Sequence, residues 1–157
     1  MTTKDKTCCF SGHREIPFGT ELDKLASDVE SAVKGLVFRG YTDFLAGGAI
    51  GFDTLCADTV LKLKYQGYPV VLKVVSPFKG QEAKWSREQR ETYYEILRSA
   101  DEVIYTAEEY SKGCYFVRNR FMVEHSSAIV CYLRHETGGT AFTVAQAEKS
   151  GLEIIKV

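Results

Sequence analysis

The chain has 157 residues, which is the length of one ordinary domain. Its composition is 45% hydrophobic and 26% charged, and these values exclude a disordered, collagen-like or coiled-coil chain. The 20 basic and 21 acidic residues give a formal charge of −1, so any attraction to nucleic acid, anionic lipid or phosphate must come from a local patch.

The lack of a recognisable targeting signal and the pattern of cysteines predict a cytoplasmic protein. No apolar run approaches the roughly 20 residues that a membrane span needs, and residues 1–6 lack the apolar core of a secretory signal. We therefore expect no membrane attachment. The five cysteines contain no C-x-x-C pair, which favours reduced, buried thiols over a disulfide or a zinc site, so no metal is predicted.

Strands and helices are predicted to alternate along the whole chain. Strands are indicated by short apolar runs, and helices by apolar residues that recur at three- and four-residue spacing. In the first half of the chain, the pattern predicts a strand at Thr7–Phe10, a helix with its apolar stripe from Leu22 to Val37, a strand at Phe44–Ala46, a helix ending near Gln66 and a strand at Val70–Val75. In the second half, it predicts a helix opened by Ser86, a strand at Glu102–Thr106, a helix near Tyr115–His125, a strand at Ala128–Leu133, a short helix opened by Gly138–Thr140 and ended by Gly151, and a strand at Glu153–Val157.

Capping chemistry predicts where several helices begin. Ser86 with Gln89 reads as a capping box, and Thr20 with Asp23 resembles one. Asp53 is a candidate N-cap, with a ribose-binding carboxylate as the functional alternative.

The alternation of strands and helices predicts the fold class. Parallel strands need right-handed crossovers, which short connections and intervening helices supply. The almost uniformly apolar run Val70–Val75 is typical of a strand covered on both faces and predicts a central position. We therefore predict one α/β domain over residues 1–157, a Rossmann-like doubly wound fold with a mostly parallel sheet and helices on both faces, preceded by a flexible tail at residues 1–6.

The strand-to-helix loops carry the candidate ligand-binding residues. Such loops line the ligand crevice of an open α/β sheet. Glycine allows close approach of a ligand, helix N-termini attract phosphate, and guanidinium groups bind phosphate oxygens in pairs. The candidates are Ser11, Gly12, His13, Arg14, Gly47, Gly48, Gly51, Asp53, Lys79, Gln81, Arg118, Asn119, Arg120, Gly138, Gly139 and Thr140.

Other features of these loops limit the chemistry. The glycine segments match neither the dinucleotide pattern G-x-G-x-x-G nor a Walker motif, so ordinary NAD binding is not expected. Asp53 and Glu82 are the weak candidates for a catalytic acid. Trp85 is predicted to pack beneath its loop, while Tyr110 and Tyr115 line a pocket or fill a core.

Several of these segments together resemble the YpsA family of the SLOG superfamily. The resemblance rests on Ser11–Arg14, Gly47–Asp53, Pro77 with Gln81 and Trp85, Gly113-Cys114 with Arg118–Arg120, and Gly138–Thr140 with Thr143 and Ala147. The superfamily also includes DprA and the LOG phosphoribohydrolases. The resemblance implies a Rossmann-like domain that binds a nucleotide-derived ligand, and related domains often pair, which suggests a homodimer.

Three functions follow from the residues and the resemblance. The first is a nucleotide-binding protein, with a role as a regulatory sensor left open. The second is a nucleotide N-glycosidase, although Gly138–Ala145 lacks the acid that the LOG enzymes carry there. The third is a single-stranded DNA binder like DprA, which the balanced charge disfavours. The first function is preferred, with no other cofactor expected.

Overall fold

The computed structural model describes residues 4–157, in which strands and helices alternate and every strand of one six-stranded sheet is parallel. The strands are β1 (Thr7–Gly12), β2 (Asp43–Ala46), β3 (Val71–Ser76), β4 (Glu102–Tyr105), β5 (Ala128–Tyr132) and β6 (Glu153–Lys156). The helices are α1 (Thr20–Phe38), α2 (Phe52–Tyr65), α3 (Arg87–Ser99), α4 (Cys114–Glu124) and α5 (Gly139–Lys149). Short 3₁₀ turns occupy Lys4–Lys6 and Gln81–Lys84. Residues 1–3 of the predicted tail lie outside the described residues.

The strand order across the sheet is β4-β3-β2-β1-β5-β6. Cys8 of β1 pairs with Phe44 on one side and with Ala128 on the other. This confirms the predicted α/β class. The prediction that Val70–Val75 is central is wrong, because β3 lies between β2 and the edge strand β4. Its apolar run reflects burial on both faces, which any interior strand needs.

Helices cover both faces of the sheet, and the two layers have separate cores. On one face, residues of α1, α2 and α3 such as Val29 and Val60 pack against Phe10 of β1. On the other face, α4 and α5 pack against the alternate strand residues, Cys9 among them. Successive strand residues therefore serve opposite layers, as the period of two requires.

Side-chain capping sets the start of α3 but not the starts of α1 and α2. Ser86 and Gln89 form the predicted capping box at α3, with both hydrogen bonds present. The predicted caps at Thr20 and Asp53 are wrong: both residues already lie inside helices, and glycines occupy the N-cap positions of α1 and α2. Those glycines have positive φ values, so backbone conformation sets the entry of the chain into these helices.

All five cysteines are free and buried. Burial raises the pKa of the Cys9 thiol to about 12, so this group is a protonated, apolar part of the core. Among residues 4–157, no helix has the length and apolar character required to cross a membrane.

Candidate ligand-binding site

A cavity of about 410 Å³ opens at the carboxyl edge of the sheet, beside β1 and β5. The chain turns from β1 toward β2 on one side and from β5 toward β6 on the other, so this is the point where the strand order reverses. Open α/β sheets bind ligands at such a point, and the volume lies within the roughly 300–1,000 Å³ of small-molecule sites. The lining comes from the loop after β1, the loop after β2, α4, and the segment that opens α5.

The loops after β1 and β2 are held together backbone to backbone. The Phe52 N–H donates to the His13 carbonyl oxygen at 3.1 Å. A Cβ on Gly51, which has φ +82°, would overlap the backbone of Arg14. Glycine at this position therefore allows the two loops to meet, which fixes the backbone of Arg14 beside the cavity while its side chain stays free to move.

Arg118 spans the ends of two strands beneath the cavity. Its side chain is buried, with 6% exposed. Nη1 donates to the carbonyl oxygen of Gly47 and, at 3.4 Å, to that of Val75, while Nε donates to Asn119 Oδ1 at 2.7 Å. Burial lowers the pKa of the guanidinium, and the nearby Asp53 carboxylate opposes that shift. An arginine remains charged at neutral pH, so Arg118 provides a fixed positive charge.

Asp53 is the one carboxylate that lines the cavity among residues 4–157. It is 7% exposed, and Oδ2 accepts a hydrogen bond of 3.2 Å from the Ala49 N–H. Burial raises the pKa of Asp53, while Arg118, the Ala49 N–H and Arg14 act in the opposite direction. The Asp53–Arg118 pair leaves no room for a side chain at Gly47. A Cβ there would lie 2.7 Å from Asp53 Oδ2 and 2.9 Å from Arg118 Nη1.

Tyr115 carries two positive groups on its ring at the cavity wall. The guanidinium carbon of Arg14 lies 5.8 Å from the ring centroid, and that of Arg118 lies 6.0 Å from it. Both distances are within cation–π range. Arg14 is solvent-exposed, unlike Arg118, so it can adjust to a ligand.

Two histidines, His13 and His135, also line the cavity. The rings of His13 and His135 are 4.6 Å apart, and the Arg134 N–H donates to His13 Nε2 at 2.8 Å. Nε2 must therefore be unprotonated. Burial lowers the pKa of His13, and the His135 and Arg134 charges lower it further. His13 acts here as a local hydrogen-bonding group that holds the segment leading to α5.

The first turn of α5 faces the cavity. Gly138, Gly139 and Thr140 line the cavity, and Gly138 begins the helix with φ 102° and no side-chain cap. The amide N–H groups of an uncapped first turn attract anions, and the helix dipole adds to that attraction. This end of the cavity is suited to a phosphate group.

The structure brings most of the predicted site residues together. Those that line the cavity are Ser11, Gly12, His13, Arg14, Asp53, Arg118, Asn119, Gly138, Gly139 and Thr140. Gly47 and Gly51 support it from behind through the contacts described above.

The other four predicted residues do not line the cavity: Gly48, Lys79, Gln81 and Arg120. Gln81 Nε2 donates to the Gly48 carbonyl oxygen and to the Tyr93 hydroxyl, both at 3.2 Å, which stabilises the loop between them. Lys79 is ion-paired with Glu108 at 3.1 Å, and Arg120 is exposed on α4.

Of the two weak candidates for a catalytic acid, one lines the cavity and the other does not. Asp53 faces the cavity, whereas Glu82 accepts a hydrogen bond from the Tyr94 hydroxyl at 3.0 Å, away from it. Trp85 packs on Tyr93 of α3, with ring centroids 5.2 Å apart.

Sequence reasoning missed some lining residues. Phe10, Ala49, Met122, His135 and Thr137 also line the cavity. Met122 follows Arg118 by one helical turn, and Thr137 directly precedes the glycine pair, so helical spacing and adjacency could have indicated both.

The sheet order and the cavity at its reversal point define a Rossmann-like domain with a cavity at the carboxyl edge. The protein belongs to the YpsA family, whose model, described as the YspA SLOG family, matches residues 8–153. This confirms the family predicted from the sequence.

One curated relative and two solved structures are similar to this chain. The SPbeta prophage-derived protein YoqJ of Bacillus subtilis (strain 168) is 31% identical over 143 residues, which are 83% of this chain and 81% of YoqJ. DNA processing protein A (DprA) of Streptococcus pneumoniae superimposes with a TM-score of 0.67 at 18% identity, covering 98% of this chain and 50% of that one.

The DNA processing protein A of Helicobacter pylori, which has a single-stranded DNA binding mode, gives a TM-score of 0.67 at 14% identity and covers 98% and 65%. This chain therefore spans half to two-thirds of the two DprA chains, and at these identities the likeness shows the fold.

Proposed function

We propose that this protein binds a nucleotide or nucleotide derivative in the cavity and acts as a ligand sensor in the cytoplasm. One observation carries the proposal: two guanidinium groups and the uncapped first turn of α5 face a single cavity of about 410 Å³. The net charge of −1 for the whole chain does not reveal this local positive potential. A phosphate at the first turn of α5 would accept hydrogen bonds from backbone N–H groups and would lie near Arg14.

Asp53 supports the nucleotide class of ligand. A buried carboxylate repels phosphate, so Asp53 is placed to contact a part of the ligand other than its phosphate. Ribose hydroxyls are suitable donors, because a carboxylate that accepts them recovers hydrogen bonds that it loses on burial. We propose that Asp53 accepts such hydroxyls.

A role as a sensor is favoured by the way the polar groups are used. Arg118 Nη1 and Nε already donate hydrogen bonds within the protein, to Gly47, Val75 and Asn119. Among residues 4–157, no second carboxylate lines the cavity to pair with Asp53 in acid–base chemistry.

Binding is tested by thermal unfolding with nucleoside monophosphates, nucleotide sugars and ribose 5-phosphate. A ligand that binds the native state raises the melting temperature with its concentration. Failure of all of them at about millimolar concentration, which is the weak end of useful affinity, would contradict the proposal.

Gly139 offers a matched pair of variants that separates binding from folding. A Cβ there meets no atom within 4 Å, so neither Gly139→Ala nor Gly139→Asp strains the fold. Aspartate at a helix N-terminus is stabilising by about 0.3–1 kcal/mol, but it repels a phosphate. We expect Gly139→Asp to abolish the ligand-induced shift while Gly139→Ala retains most of it. Equal shifts in both variants would argue against phosphate at α5.

The burial of Asp53 keeps N-glycosidic hydrolysis as a second candidate. A carboxyl with a raised pKa that faces a cavity can act as a general acid. This reading predicts free base from nucleoside monophosphates and its loss in Asp53→Asn. An absence of base release from the wild-type protein under conditions that saturate binding would eliminate it.

The likeness to DprA makes single-stranded DNA a third candidate. It predicts a strongly salt-dependent shift of a labelled oligonucleotide that Arg120→Ala weakens. The ion pair between Lys79 and Glu108 works against it, because that cation is already neutralised. Self-association also stays a proposal, to be measured by light scattering.

A further inference from the structure

Three aromatic rings lead outward from the cavity wall. Tyr115 lines the cavity, the Phe78 ring centroid lies 6.2 Å from that of Tyr115, and the Tyr110 centroid lies 5.6 Å from that of Phe78. The three residues come from the loop after β3, the loop after β4 and the start of α4. We call Tyr115, Phe78 and Tyr110 the ring series.

The outer part of the ring series is not part of the core. Tyr110 is 64% exposed, and Phe78 is half-buried. The core aromatic side chains Phe10, Phe44 and Phe52 are completely buried. Exposed rings joined to a cavity form a surface available to a flat apolar group, and burying them provides a driving force for binding.

Charge changes from one end of the ring series to the other. Arg14 and Arg118 place positive charge on Tyr115 at the cavity end. Lys79, which follows Phe78 in the chain, is ion-paired at 3.1 Å with Glu108, which lies two residues before Tyr110. The cavity end is therefore suited to an anion, and the outer end to an uncharged group.

We propose that the nucleobase of the ligand stacks on Phe78 and Tyr110 while its phosphate occupies the cavity. This inference rests on the proposed function and adds the part of the site that recognises the base. A base is flat, uncharged and aromatic, which matches the outer rings. A nucleic acid strand fits less well, because it would bring further phosphates to an end where the lysine is already paired.

Calorimetry with two probes tests this inference: adenosine monophosphate carries the base, and ribose 5-phosphate lacks it. Stacking of one base on an aromatic side chain corresponds to an affinity gain of about 5- to 150-fold. We expect the nucleotide to bind at least about tenfold more tightly than the sugar phosphate.

Exposed tyrosines provide the variants. Tyr110→Leu should remove most of the tenfold difference by weakening the nucleotide alone, and Tyr110→Phe should retain it, since stacking needs the ring and not the hydroxyl. Tyr65, 95% exposed at the end of α2, supplies the control Tyr65→Leu, which should change neither affinity.

The outcomes distinguish this inference from the proposed function. If ribose 5-phosphate binds as tightly as the nucleotide, or if Tyr110→Leu weakens both probes equally, the stacking role is wrong and the phosphate cavity stands. If oligonucleotides of several bases bind far more tightly than the mononucleotide, with a steep salt dependence, the occupant is a strand and the inference is also wrong. If neither probe binds, the inference fails, and if the nucleoside monophosphates and nucleotide sugars of the thermal-unfolding panel also fail to bind, the proposed function fails with it.

Discussion

Replacing Gly47 by alanine tests how tightly the Asp53–Arg118 pair is packed under the cavity. The added Cβ would lie 2.7 Å from Asp53 Oδ2 and 2.9 Å from Arg118 Nη1, closer than real Cβ atoms come to other atoms. Both side chains are more than nine-tenths buried, so neither can turn into solvent. Any shift of Arg118 also strains its hydrogen bond to the Gly47 carbonyl oxygen. Overpacking of this kind costs about 1–3 kcal/mol of unfolding free energy.

Gly35→Ala is the matched control for that experiment. Gly35 lies within α1, where a Cβ meets no atom within 4 Å, so alanine should stabilise the protein by about 0.5–1 kcal/mol. The same chemical change should therefore move the urea midpoint up at Gly35 and down at Gly47. For a chain of this length, 1 kcal/mol corresponds to a shift of about 2–4 °C in melting temperature. A Gly47→Ala protein as stable as the wild type would refute the described packing.

Three further predictions concern titratable groups. Because burial raises the pKa of Asp53, its ionised form is favoured in the unfolded chain, so the stability measured by urea denaturation should fall as pH rises through the folded pKa, and Asp53→Asn should flatten this part of the pH profile; an unchanged profile would contradict the burial of the carboxyl. Because the pKa of His13 is lowered from its ordinary 6.5, wild-type stability should fall as pH drops below that value, and His13→Asn should flatten the profile; parallel profiles would contradict this. The five buried thiols should react with a thiol reagent at the rate of unfolding, and rapid labelling of any one under native conditions would contradict its burial.

Individual residues show why part of the site was predictable. The Ser86–Gln89 capping box was predicted correctly because its two hydrogen bonds join residues three positions apart. Gly138 and Gly139 were recognised by their place after a strand and before a helix, which is also local. Thr20 failed as a cap because the conformation of Gly19, and not side-chain chemistry, starts α1.

Other site properties depended on contacts distant in sequence. Arg118 was predicted as a ligand cation, but its hydrogen bonds join it to residues 71 and 43 positions away, so much of its bonding capacity holds strand ends. Gln81 was predicted to touch a ligand and is instead bonded to Gly48, 33 positions away. The ring series likewise joins residues from separate loops, and sequence could offer Tyr110 and Tyr115 only as alternatives between pocket and core.

The sequence by itself determined the alternating elements, the family and the edge of the sheet where the candidate site lies. Helical and strand periodicity, glycine conformations and capping chemistry are properties of a few consecutive residues, so they can be read without coordinates. Tertiary structure alone decided that β1 and β5 are neighbours, that the site opens between them, and that Asp53 and Arg118 share the space over Gly47. The strand order arises from burying both faces of the sheet at once, and that requirement acts between residues far apart in the chain.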